Sequence, residues 1–168
     1  FLALDARISL VREPPQPGQE HPGLQKRQRL LFFGTRNCSA QGKDIWDTAG
    51  ERDRLFGALQ PASEFLRMEG VLSSDTDCQT ALMQSKGLVD IFHYSGHTDI
   101  ENGAGYLLAS ERPGVDRLYA STLGPLLRRA KTSLAVFSAC NSGSWAFVEP
   151  LLKAGVPVVI GAQGVVYV

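Results

Sequence analysis

The chain has 168 residues, with Lys+Arg and Asp+Glu at 17 each, so no net field draws it toward nucleic acid or an anionic membrane. Apolar residues make up 43% and charged residues 20%, the balance of one folded domain with a single sizeable core. No apolar run approaches the roughly 20 residues of a membrane helix.

Cys38, Cys78 and Cys140 are odd in number and lack a C-x-x-C spacing, which argues against a disulfide framework and a cysteine zinc site. The expected setting is therefore a reducing cytoplasm, with no metal or organic cofactor. Phe1 opens no signal-peptide pattern, and the apolar run "VPVVIGAQGVVYV" closes the sequence, so the expectation is a piece of a longer chain.

In chain order, "FLALDARISLVRE" alternates apolar and polar residues as a strand or hairpin does, and "PPQPGQEHPG" reads as a Pro-rich connector. Within one domain these make residues 1–28 an N-terminal hairpin and Pro-rich connector, followed by an α/β core over 29–168. "RLLFFG" is a buried strand, and residues 47–59 form a helix with Leu55, Phe56 and Leu59 on one face. Pro61 interrupts that pattern, after which a second helical piece runs to Met68 and a short strand follows near Gly70 to Leu72.

The string "SSDTDCQTALMQSKG" carries caps, a helical body and a terminal Gly87. Then come a strand in "LVDIFHYSGH", a shorter one in "GYLLAS", a helix in "YASTLGPLLRRAK" and a strand in "SLAVFSAC". A helix in "SWAFVEPLLKAG" and a last strand in "VPVVIGAQG" complete the set. Strands alternating with helices predict an α/β fold, a three-layer sandwich with a mainly parallel sheet flanked by helices.

The segment "GKDIWDTAGER" resembles the switch of small GTPases, but the chemistry of a P-loop is missing. Between Gly34 and Gly42-Lys43 lie seven residues, and Asp44 stands where a hydroxyl should hold Mg²⁺. A carboxylate there would repel phosphate. "WDTAG" therefore reads as a loop and a helix start, capped by Asp47 or Thr48.

Two strand ends carry the candidate chemistry. One closes as "FHYSGH", ending on His97, and the other as "VFSACNSG", containing Cys140. Ligands gather at the carboxyl ends of strands in open parallel sheets. An imidazole there can take the thiol proton and leave a nucleophile at neutral pH. A helix N-terminus near Ser144 would favour the anion, and Gly96 and Gly143 would admit a substrate backbone.

"DIFHYSGH", then "GYLLAS", "SLAVFSACNSG" and "LLKAGVPVVIGAQGVV", together resemble a CHAT domain, of the caspase-like clan of cysteine peptidases. The leading "FLALDARISLVRE" is similar to the strand region before that family's core. The resemblance is most specific from Asp90 to Val166; residues 35–70 match in layout only.

It implies a caspase-like sheet, hydrolysis of peptide bonds in a protein or peptide substrate, Cys140 as nucleophile and His97 as general base. It further implies regulation by a helical-repeat domain in cis or a partner protein, with no direct nucleic-acid or membrane partner. Oxyanion and substrate contacts would fall to Gly96, Thr98, Asn141, Ser142 and Gly143, with amide donors at Cys140 and beside His97. The family shows Gly directly after the His, whereas this chain has Thr98. A β-branched residue at a position needing positive φ would be strained, and its bulk would narrow the substrate path. A catalytically silent interaction or scaffold module is the competing expectation.

The remaining candidates have plainer readings. His93 and His97 on one strand stand roughly 13 Å apart, too far for one metal, so His93 packs or bonds beneath the site. Asp99 and Glu101 read as solvated loop acids, Trp145 as core packing, and Arg128, Arg129 and Lys131 as a solvated helix end. Asn141 and Ser142 divide evenly between cleft and cap. Cys38 and Cys78 have no partner base and read as non-catalytic.

Overall fold

A computed structural model describes residues 8–12, 27–35, 47–73, 76–85, 88–109 and 117–163. The Pro-rich connector, Cys38, the whole of "GKDIW" and the terminal "VVYV" lie outside the described residues.

Hydrophobic strands and capped helices alternate as the pattern requires. The strands are β1 Ile8–Arg12, β2 Gln28–Gly34, β3 Leu66–Leu72, β4 Ile91–Ser95, β5 Thr98–Glu101, β6 Ala104–Leu108, β7 Arg117–Tyr119, β8 Leu134–Ser138 and β9 Val158–Ala162. The helices are α1 Thr48–Leu59, α2 Cys78–Gln84, α3 Ala120–Arg129 and α4 Trp145–Lys153. The main sheet has the order β1-β9-β8-β4-β2-β3, parallel throughout except for β1 against β9. It is a mainly parallel α/β sheet with helices on both faces.

Side chains alternate between those faces along each strand. Phe33, Phe92, Tyr94 and Phe137 enter the larger core with Leu82, Leu123, Leu127, Phe147 and Leu151 of α2, α3 and α4. Phe32 and Leu30 point the other way, where Leu55, Phe56 and Leu59 of α1 cover them. Four aromatic contacts bind the centre, the tightest being Phe137 against Phe147, edge to face at 4.9 Å.

The second helical piece expected after Pro61 does not form. A 3-10 turn at Gln60–Ala62 ends α1, and the chain enters β3 at Leu66, four residues before the expected strand. The residues have mixed helical propensity, and parallel pairing with β2 along the whole of Gln28 to Gly34 decides between the two states.

β5, β6 and β7 form a separate antiparallel sheet in which Thr98 faces Leu107 and Leu107 faces Leu118. Its turn is Asn102-Gly103, with φ of 51° and 79°, the two left-handed residues of a type I′ hairpin. Asp99 and Glu101 are thus strand residues, not loop acids. Glu101 binds Arg117 and accepts from Tyr119 Oη at 3.0 Å.

"WDTAG" opens a helix, as read. Asp47 caps α1, its carboxylate accepting from Gly50 N at 2.8 Å.

Candidate active site

β4 and β8 are parallel neighbours, and their pairing sets the geometry of the site. Ser95 stands opposite Ser138, an offset of 43 residues (138 − 95), and His97 and Cys140 carry the same offset (140 − 97). Each therefore lies two residues beyond the last paired position of its strand, at the carboxyl edge of the sheet. The two loop segments are tied together there. Gly96 N donates to Ser138 O at 3.3 Å, and the Thr98 hydroxyl donates to the Cys140 carbonyl.

His97 is held by its backbone. Its N–H donates to Tyr94 Oη at 3.0 Å, and its carbonyl accepts from Leu108 N at 3.0 Å. The phenol sits 2.9 Å from the carbonyls of His97 and Leu108 and shares its single proton between them, with Thr35 Oγ1 3.0 Å away. Burial holds that phenol well above the usual tyrosine range, so it stays a hydrogen-bonding pin.

Gly96 is required above this pin, because a Cβ there would lie 1.9 Å from Thr35 Oγ1 and 2.6 Å from Tyr94 Oη. Tyr94 and Thr35 escaped the sequence reading. The available signal was a buried tyrosine three residues before a candidate histidine, since a buried phenol must find partners.

The His97 ring is half-buried, and that burial holds its pKa below the usual histidine value, with Asp99 partly opposing the shift. A ring so depressed is mainly neutral at pH 7 and can accept a proton. Cys140 is also half-buried and forms no disulfide. Cys78, the other described cysteine, is wholly buried, and burial pushes its thiol far above the range of a nucleophile.

Thr98 is not strained. It lies outside the positive-φ residues, which among the described residues are Asn102, Lys131 and Asn141 apart from glycines. Its side chain is buried against the Cys140 carbonyl rather than projecting into an open path. The backbone pattern also leaves its amide available. Leu108 N donates to His97 O, so Thr98 and Leu107 form a non-hydrogen-bonded pair and the Thr98 N–H points away from β6.

The Ser142 hydroxyl and several backbone groups of the turn after Cys140 bond within the turn and to β9. Asn141 takes φ 56°, which its short side chain tolerates, and its carbonyl accepts from Ser144 N at 3.0 Å. Ser142 Oγ lies 2.7 Å from Ala139 O and 3.1 Å from Phe137 O, and accepts from Ala162 N at 2.9 Å. Gly143 N donates to Ala162 O at 2.7 Å. β9 approaches so closely that a Cβ on Gly161 would lie 2.6 Å from the Ser142 backbone. Ser142 and Gly143 thus shape the site by locking the turn to β9.

The turn delivers the chain into α4, whose positive end opens five residues past Cys140. Trp145, read from sequence as core packing, is 62% exposed. Phe147, Val148, Leu151 and Leu152 take the buried face of α4, and a residue two before Phe147 falls opposite them.

His93 sits beneath the strand ends, as read. Its ring stacks on Phe32 at 5.2 Å, with Nε2 3.3 Å from both Glu51 Oε1 and Ser138 Oγ. Arg128, Arg129 and Lys131 are exposed at the end of α3. Among the described residues no group of His, Cys, Asp and Glu is arranged to hold a metal, and no helix is long and apolar enough to cross a membrane.

No protein-family model matches this chain, and no curated protein matches it.

Proposed function

We propose that this chain is a caspase-like cysteine peptidase domain of the CHAT type, cleaving peptide bonds with Cys140 as nucleophile and His97 as general base. The observation that carries the reading is the shared β4–β8 register of His97 and Cys140, with the Thr98 hydroxyl bridging to the Cys140 carbonyl. Motif order along the chain supports it independently.

In the first step His97 takes the Cys140 proton, and sulfur attacks the scissile carbonyl carbon. The carbonyl electron pair moves to oxygen, and the Thr98 N–H is the donor beside His97 that meets the oxyanion. Collapse expels the amine, which takes its proton from His97 and leaves a thioester on Cys140. Water, deprotonated by His97, attacks that thioester. The acid product departs and the thiol recovers its proton. No metal or cofactor enters this scheme.

The cysteine pattern adds a reducing cytoplasmic setting, and the resemblance adds control by a helical-repeat domain in cis or by a partner protein. A second reading, a silent interaction module, is favoured by one observation: Thr98 stands where the family has glycine and is buried against Cys140.

A peptidyl thiol-directed electrophile followed by intact mass decides between them. The peptidase reading expects one selective adduct on Cys140, lost in Cys140→Ala and in His97→Ala. Slow labelling of Cys140 that is unchanged in His97→Ala, with buried Cys78 still protected, would favour the silent module. Cys140→Ala should abolish cleavage and leave the melting midpoint within a few degrees of wild type.

A further inference from the structure

The first turn of α1 is joined to the sheet by a carboxylate. Glu51 accepts a hydrogen bond from Ser95 Oγ at 2.6 Å and lies 3.3 Å from His93 Nε2. Ser138 Oγ lies 3.3 Å from the same nitrogen. An ionised Glu51 accepts on both oxygens, and in that pairing His93 Nε2 carries the hydrogen, within reach of both Glu51 and Ser138. The ring cannot swing away, because its face stacks on Phe32 with 23° between the planes.

This cluster has the composition of a hydrolytic triad but not its wiring. Serine and carboxylate both meet one ring nitrogen, whereas a triad needs one on each side of the imidazole. The side chains of His93 and Glu51 are also largely enclosed, 11% and 23% exposed. It is not a second active centre.

Its position suggests another role. Ser95 and Ser138 are the last residues of β4 and β8 and face each other in the ladder. His97 and Cys140 follow two residues later. The cluster thus clasps the two strand ends immediately below the two reactive side chains, drawing on α1, β4 and β8 together. Elsewhere α1 grips weakly: Leu55, Phe56 and Leu59 are only partly buried, and Thr48 is its one fully buried residue.

We propose that Glu51 is a positioning residue for the Cys140–His97 pair. Through His93, Ser95 and Ser138 it fixes the separation of the β4 and β8 ends and hence the approach of imidazole to thiol. The inference rests on the dyad reading above. Glu51 touches no reacting atom and acts only through the strand ends.

The test is the rate of Cys140 alkylation by iodoacetamide at pH 7 in the full chain, read by peptide mass, with buried Cys78 as the internal measure of folding. Glu51→Gln keeps the size, removes the charge and turns one of the two acceptor oxygens facing Ser95 and His93 into a donor. It should slow Cys140 alkylation roughly tenfold while Cys78 stays protected. On a His97→Ala background the same change should have no further effect, because the coupling runs through the imidazole.

A rate within about twofold of wild type in Glu51→Gln, or an equal drop in both backgrounds, would overturn the positioning role and leave the dyad standing. An unchanged rate in His97→Ala alone would overturn both. If Glu51→Gln exposes Cys78, Ser138→Ala decides, since it cuts only the arm to β8. A His97-dependent drop then supports the role, and an unchanged rate ends it.

Discussion

The two faces of the main sheet are built on different principles. Against α2, α3 and α4 the sheet presents Phe33, Phe92, Tyr94 and Phe137, and the packing there is apolar and closed. Against α1 it presents a small apolar cluster around Leu30 and Phe32, then a polar stretch of His93, Ser95 and Ser138 that meets Glu51. The same strands supply both faces by alternation, so one residue of β4 serves stability and the next serves the site. The apolar face sets how strongly the sheet holds. The polar face sets how its ends are spaced, because hydrogen bonds have direction and apolar contacts do not.

The sharpest way to break this contrast is to truncate one aromatic on each face. Phe147→Ala on the closed face should cost about 3–5 kcal/mol in urea unfolding, as it removes a fully buried ring packed on Phe137. Phe56→Ala on the α1 face, where the ring is only half-buried, should cost roughly half as much. Equal losses would mean that α1 is as firmly packed as α4.

Tyr94 belongs to both accounts, with its ring in the closed core and its hydroxyl beneath His97. Tyr94→Phe should lose about 1–3 kcal/mol, since it strands the His97 N–H, and should also loosen the His97 segment. Amide exchange at His97 and Leu108 would report that loosening, and unchanged protection would confine Tyr94 to a packing role.

The smallest effect is acidic. The His97 pKa is lowered in the fold by burial, so the unfolded chain binds its proton more readily. Stability from this group is present above the unfolded value near 6.5 and falls as pH drops through the folded value. Asp99 opposes the shift, so Asp99→Asn should depress His97 further and steepen the loss below pH 6.5. NMR titration of the His97 ring checks the direction; a rise in its pKa would contradict it.

The Asp47 cap and the buried strands β2, β4, β8 and β9 were legible in the sequence, because caps and hydrophobic runs are local signals. So were His97 and Cys140 as candidates, each at the close of an apolar run before small residues. The hairpin of β5 and β6 was readable in Asn102-Gly103 but was hidden by the polar residues around it. β3 was only partly legible, since pairing with β2 rather than its own composition makes it a strand.

Trp145 shows the limit in the other direction. Its large apolar side chain suggests burial, yet the phase of α4 turns it outward, and that phase is set by Phe147 and Leu151 finding the sheet. Residue type and local period therefore settled the Asp47 cap, the buried parallel strands and the two candidate side chains. Register settled the rest: which strands are neighbours, that His97 and Cys140 share one offset, and that Glu51 lies under both strand ends. Those facts join residues 42 to 45 positions apart, and only long-range pairing, which leaves no periodic trace in a single chain, can bring them together.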